Sequence, residues 1–217
     1  MLLYIIRHAD PDYEHNTITE FGWQEAHALA DWLQELPIDR IYSSPMGRAI
    51  DTATPICKIK GMEPVILPWA AEHQDYMTSL RLTPESQCSY RYSVQKGVYD
   101  FQDFVDTDRM KTVEHMIACS DEFLASFGYE RQGVFYKVTK HCEENIAVFC
   151  HGGFGCAWLA HLLGMAPGVA FHTLRLGTSS VTTVSFPKSD KGYIRPILRH
   201  LGEIHHIRRA GLRINTR

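Results

Sequence analysis

The amino-acid sequence predicts an α/β fold: a three-layer sandwich with a mostly parallel central sheet and an inserted lid. Three observations lead to it. Short apolar runs of strand length alternate with stretches whose apolar residues recur at helical spacing. One of those runs, residues 146–150 (Ile-Ala-Val-Phe-Cys), is apolar throughout, the pattern of a parallel strand covered on both faces. The stretch from about 73 to 140 breaks the alternation, as an insertion between two parts of one sheet does.

Taken in order, residues 2–6 form the first strand and end abruptly at Arg7-His8. A polar loop with Pro11 follows. Thr17-Ile18-Thr19-Glu20 reads as a capping box, and Ala26, Leu29, Ala30 and Leu33 then recur on one helix face until Pro37. Residues 38–42 are a second strand. Behind Ser43-Ser44-Pro45 a helical segment runs to Gly61, with a kink expected at Pro55, which has no N–H to donate. Residues 64–67 are a third strand. The insertion opens irregular and aromatic (Tyr76, Tyr90, Tyr92, Tyr99, Phe101, Phe104). It then holds a helix over 111–127, with Val113, Met116, Ile117, Phe123 and Leu124 on its apolar side. The alternative to a lid is a further helical layer of the same domain. After strand 146–150 and His151-Gly152-Gly153, a helix runs over 154–163 and closes at Gly164. Residues 181–186 and 193–198 are the last strands.

Composition narrows the function. With 217 residues, 45% hydrophobic and 22% charged, the chain is expected to be a single domain over 1–217 with a real core. A formal net charge of −3 gives no basic field, so nucleic acid is not an expected partner. No apolar run nears the roughly 20 residues of a membrane span, so no membrane partner is expected either. The opening Met-Leu-Leu-Tyr-Ile-Ile is shorter than the ~7–15-residue core of a secretion signal, which points to the cytoplasm. The six cysteines form no C-x-x-C pair and read as buried thiols. His200, His205 and His206 find no nearby cysteine or carboxylate that completes a recognisable metal-ligand set, and read as surface histidines. His27 and His161 read as packing or rim residues. Arg208, Arg209, Arg213 and Arg217 form a solvated basic tail that leaves a homodimer contact open.

The strand ends carry the chemistry. Arg7 and His8 follow the first strand, Ser43 and Ser44 the second with Arg48 one turn on, Glu72 the third, and His151 the fourth. In open α/β sheets ligands bind beyond the carboxyl ends of the strands, so these residues are expected to converge. Gly152 and Gly153 lead into a helix whose first N–H groups suit an anion. Two arginines, two histidines, a carboxylate and a glycine-rich helix entrance fit a phosphate ester.

Together these blocks resemble the histidine phosphatase superfamily, the phosphoglycerate mutase-like proteins. Arg7-His8-Ala9-Asp10 resembles its Arg-His-Gly-Glu motif, and residues 18–26 (Ile-Thr-Glu-Phe-Gly-Trp-Gln-Glu-Ala) its Leu-Thr-x-x-Gly-x-x-Gln-Ala. Residues 43–53 are similar to its Ser-Ser-Pro-x-x-Arg-Ala-x-x-Thr-Ala, and Phe149-Cys150-His151-Gly152-Gly153 to its later His-Gly block. The resemblance implies phosphomonoester hydrolysis, with His8 as the nucleophile that becomes phosphohistidine. Arg7, Arg48 and His151 would surround the phosphoryl group, and Glu72 would protonate the leaving oxygen; the scheme requires no metal and no cofactor. The sequence departs from the family at Ala9-Asp10, at Glu14 where many relatives carry asparagine, and at residues 73–76. Asn16 or Thr17 then takes the missing asparagine's place in substrate binding, with Gly152. Arg81 and Arg91 of the insertion are expected to read the rest of a small phosphorylated metabolite. The alternatives are a phosphoglycerate-type mutase and a catalytically silent relative that binds phosphorylated ligands.

Overall fold

The computed structural model describes residues 1–79, 91–93, 98–100, 107–165 and 167–215. Strand β1 (Leu2–Arg7) alternates its side chains between the two faces of a sheet. A small hairpin, β2 (Pro11–Asp12) and β3 (Thr17–Ile18), leads to α1 (Glu20–Leu33). The N-cap of α1 is Thr19, whose hydroxyl oxygen accepts from Gly22 N at 3.0 Å, so the cap lies two residues beyond the Thr17 expected. Next come β4 (Arg40–Ser43) and α2 (Gly47–Lys60), which Gly61 ends in the left-handed conformation. Then β5 (Val65–Ile66), a 3-10 turn (Pro68–Ala70), α3 (Gln74–Ser79), the pair β6 (Arg91–Ser93) and β7 (Val98–Asp100), and α4 (Thr107–Ser126) follow. The hairpin β8 (Tyr129–Gln132) and β9 (Phe135–Val138) precedes β10 (Asn145–Cys150), α5 (Gly152–Leu163) and α6 (Pro167–Thr173). The last elements are β11 (Val181–Ser185), β12 (Tyr193–Ile194), β13 (Ile197–Glu203) and α7 (His205–Arg209).

The central sheet has the order β13-β11-β1-β10-β4-β5, and β11 alone runs against the others. Its register positions the site. Arg7 stands opposite Cys150, and Phe149 opposite Ser43, so β1, β10 and β4 end side by side. On one face Tyr4, Ile6, Ile41, Ala147 and Phe149 pack against Leu29 and Leu33 of α1 and Ala53 and Ile56 of α2. On the other, Leu3, Ile5, Tyr42 and Val148 pack against Phe123 and Leu124 of α4 and Phe154, Trp158 and Leu159 of α5. Each large side chain so buried stabilises the fold by about 1.5–3 kcal/mol. The aromatic contacts are close: Tyr42 meets Phe123 edge-on at 5.1 Å and Trp69 meets Trp158 at 5.4 Å.

Three expectations change. The insertion drawn to residue 140 is too long for a lid, because Val113, Met116, Leu124 and Tyr129 lie in the main core, which is the further-layer alternative. Tyr76 belongs to that core as well, while residues 80–90 lie outside those described. The single strand expected over 193–198 divides at Arg195-Pro196: β12 pairs with β9, and β13 with β11. Pro196 has no N–H for a ladder, so the chain changes sheets there. His206 is not at the surface. It is 1% exposed, lies 2.8 Å from Ser179 Oγ, and its ring stacks on Trp32 of α1 at 5.7 Å. The described cysteines are free thiols, and Cys88 lies outside the described residues. Among the described residues no helix is long and apolar enough to cross a membrane.

Candidate active site

The ladder continues past the strand ends. His8 N–H donates to Cys150 O at 2.9 Å and Ser44 N–H to Phe149 O at 2.8 Å, which sets His8, His151 and Ser44 at neighbouring strand ends. The rings of His8 and His151 lie 5.2 Å apart, centroid to centroid.

His8 is buried, and its Nδ1–H donates to Ala9 O at 2.7 Å. That bond fixes the tautomer and leaves a lone pair on Nε2. Burial, with the Arg7 and Arg48 charges, holds the His8 pKa down at about 3, so the imidazole is neutral at pH 7. The backbone behind it is tied on every side. Ala9 N–H donates to Thr52 Oγ1 (2.9 Å), Asp10 N–H to Glu25 Oε2 (2.7 Å), and Ser179 N–H to His8 O (3.1 Å). Glu25 also accepts from the Thr178 hydroxyl at 2.8 Å, and burial raises its pKa. This supporting layer was not foreseen; the signal for it is a glutamate on the apolar side of α1, beside Ala26 and one turn before Leu29.

Arg48, on the first turn of α2, is 7% exposed. Its Nη1 donates to Asn16 Oδ1 at 3.2 Å, its Nη2 reaches the Met46 sulfur at 3.1 Å, and the Tyr13 ring covers it at 5.4 Å. Its Nε is buried without a hydrogen-bond partner. Gly47 permits the arrangement, since a β-carbon there would lie 2.2 Å from Asn16 O. Arg7 donates through Nη1 to Leu176 O at 2.7 Å and lies against Gly152, whose missing β-carbon would stand 3.4 Å from Arg7 Nε.

The Glu72 carboxylate caps the start of α5. Oε2 accepts from Gly153 N at 2.9 Å and Oε1 from Phe154 N at 2.8 Å. Burial raises its pKa against the lowering by those bonds and by Arg48 and Arg7. His151 Nε2 lies 2.7 Å from Ser44 Oγ, while Nδ1 is buried without a partner. Burial foremost, then His8, Arg48 and Arg7, brings the His151 pKa down to about 2.

Of the expected site residues, His8, His151, Arg7, Arg48, Glu72, Gly152 and Asn16 are brought together. Thr17 is not, because its hydroxyl donates to Asp51 of α2. Arg81 lies outside the described residues, as does the side chain of Arg91 in β6. Among the described residues no cluster of three or more His, Cys, Asp or Glu side chains is placed to hold a metal. The site brings together two guanidinium groups, a neutral histidine with a lone pair on Nε2, and a carboxyl group of raised pKa. Such a set suits a tetrahedral anion.

The fold and site define a three-layer α/β protein with paired histidines and arginines at its strand ends. Residues 3–90 match the family described as histidine phosphatase superfamily (branch 1). Solved structures agree on the fold. A phosphoserine phosphatase from Entamoeba histolytica, solved with phosphoserine, is 19% identical, with TM-score 0.64 over 95% of this chain and 98% of that one. A mycobacterial glucosyl-3-phosphoglycerate phosphatase gives 19% and 0.59 over 93% and 98%. The α-ribazole phosphatase from Shigella flexneri gives 19% and 0.57 over 94% and 97%. Comparison with curated protein sequences found no match.

Proposed function

We propose that the protein hydrolyses a small phosphorylated metabolite, a phosphomonoester, through a phosphohistidine on Nε2 of His8. The observation that carries this reading is the His8 ring, its Nδ1–H given to Ala9 O, 5.2 Å from the His151 ring, with His151 Nδ1 and Arg48 Nε buried without a hydrogen-bond partner. A phosphoryl group supplies acceptors for both while its phosphorus faces the nucleophile.

In the first half-reaction the Nε2 lone pair attacks phosphorus and the P–O ester bond breaks. The departing oxygen takes the proton of the Glu72 carboxyl, whose raised pKa suits an acid. Arg7, Arg48 and His151 offset the charge on the three remaining oxygens. In the second half a water attacks phosphorus, the P–N bond breaks with its electron pair returning to Nε2, and Glu72 carboxylate takes the water's proton. The positive charge comes from the two arginines, so the reading requires no divalent ion. The free thiols fit a reducing compartment, and the cytoplasm is the location we propose.

The test is phosphate release from p-nitrophenyl phosphate with a chelator present, together with rapid-quench trapping of an acid-labile phosphoprotein. Wild-type protein should show both, and His8→Ala neither. Retention by His8→Ala of more than about a tenth of the wild-type rate removes His8 from the nucleophile's role.

A further inference from the structure

Ser44 has every polar group accounted for in a fully buried setting. Its N–H donates to Phe149 O, and its carbonyl accepts from the Ser43 hydroxyl at 3.0 Å. Its own hydroxyl oxygen accepts from Met46 N–H at 3.2 Å and lies 2.7 Å from His151 Nε2. That leaves the hydroxyl proton, for which His151 Nε2 is the acceptor at hand. A neutral imidazole carries one proton, so it then resides on Nδ1, the atom buried in the pocket without a partner. In the other tautomer the hydroxyl proton would have no acceptor, and Nδ1 would turn a lone pair toward the phosphoryl oxygens. Both groups would be buried and unsatisfied, or repelled.

We propose that Ser44 is a positioning residue that holds His151 in the Nδ1–H tautomer, so that Nδ1–H donates to the substrate's phosphoryl oxygen; this rests on the phosphoryl-transfer reading of the site. The serine acts only through His151 and touches no reacting atom. Its place in the chain explains how: it follows β4 directly, and β4 pairs in register with β10, which His151 follows. One strand pairing therefore fixes the distance between the hydroxyl and the ring.

The experiment reads the tautomer directly. Long-range 15N–1H correlation spectra of the ring of His151 in the uniformly labelled full chain, assigned with His151→Asn, should show a protonated Nδ1 and an unprotonated Nε2. Ser44→Ala should shift the ring toward a mixture of tautomers and lower kcat on an alkyl phosphate about tenfold or more. Ser44→Thr, which keeps the hydroxyl, should restore both. A protonated Nε2 in the wild-type protein overturns the proposal whatever the variants do, and so does an unchanged Nδ1–H pattern in a folded Ser44→Ala. The spectrum needs no turnover, so loss of the phosphatase reading and loss of the tautomer assignment are separate results.

Discussion

Glu72 and Gly153 meet more closely than any side chain at 153 would permit: a β-carbon there would lie 2.8 Å from Glu72 Oε1. Gly153→Ala should thus push the carboxyl group off the start of α5 while leaving the helix intact, since alanine favours helix by about 1 kcal/mol over glycine. We expect kcat on an alkyl phosphate to fall about tenfold or more with little loss of thermal stability. Wild-type turnover in that variant would mean that the carboxylate does its work from another position.

Glu72→Gln separates leaving groups. A glutamine cannot give up a proton, so esters of alcohols should slow by about 10²–10⁴-fold. A p-nitrophenyl ester, whose phenolate leaves unaided, should slow far less. Equal slowing on both, measured as kcat/KM, would sink the assignment of Glu72 as the acid.

Arg48→Lys should fail as a conservative change. The guanidinium bonds Asn16 and the Met46 sulfur through its two terminal nitrogens and still has Nε buried for a ligand. A lysine carries its three N–H donors on one nitrogen and cannot reach partners spread around a planar fork. Affinity for inorganic phosphate or vanadate should drop about tenfold or more, by calorimetry or inhibition. Unchanged affinity would show that charge alone matters at this position.

Acid should destabilise the fold through its buried histidines. Burial depresses His8 to about 3, His151 to about 2 and His206 to about 4, from 6.5 in the unfolded chain. As pH falls below 6.5 the unfolded chain gains these protons first, so stability present above 6.5 is lost on the way toward the folded values. Each histidine contributes up to about 1.4 kcal/mol per pH unit in that window. Glu72 and Glu25, raised by burial, act in the opposite sense below their own folded pKa and soften the slope. Urea unfolding at pH 7, 6 and 5 checks this; a flat or rising stability would contradict the burial assigned to these rings.

The sheet was legible because strand-length apolar runs and helical periodicity alternate along the chain, and because buried parallel strands need no polar face. His8 and His151 were legible for the same reason: each directly follows such a run. The residues that hold them were not. Glu25, Thr52 and Ser179 act through hydrogen bonds across elements far apart in sequence, and local pattern carries no record of those pairings; Ser44 was placed at its strand end, but its bond to His151 was not. His206 was misplaced because its burial comes from packing on Trp32, two helices that meet only in the folded chain. The extent of the insertion was misjudged because the apolar side of α4 looks the same whether it faces a lid or the main core.

The strand order has a bearing on how the molecule is made. Leu2 and Arg7 pair with Asn145 and Cys150 on one side, and Leu2 with Ser185 on the other. The strand made earliest in this sequence is thus a middle strand, with both neighbours drawn from the last third. At a synthesis rate of roughly 5–20 residues per second, β1 waits on the order of ten seconds for its first partner. During that interval its apolar residues and unpaired edge are open to other chains, and chaperones have a binding site. Pairings of such long range also slow spontaneous refolding. His8 and His151 meet only when β1 docks, so recovery of activity after dilution from denaturant should lag behind recovery of helix.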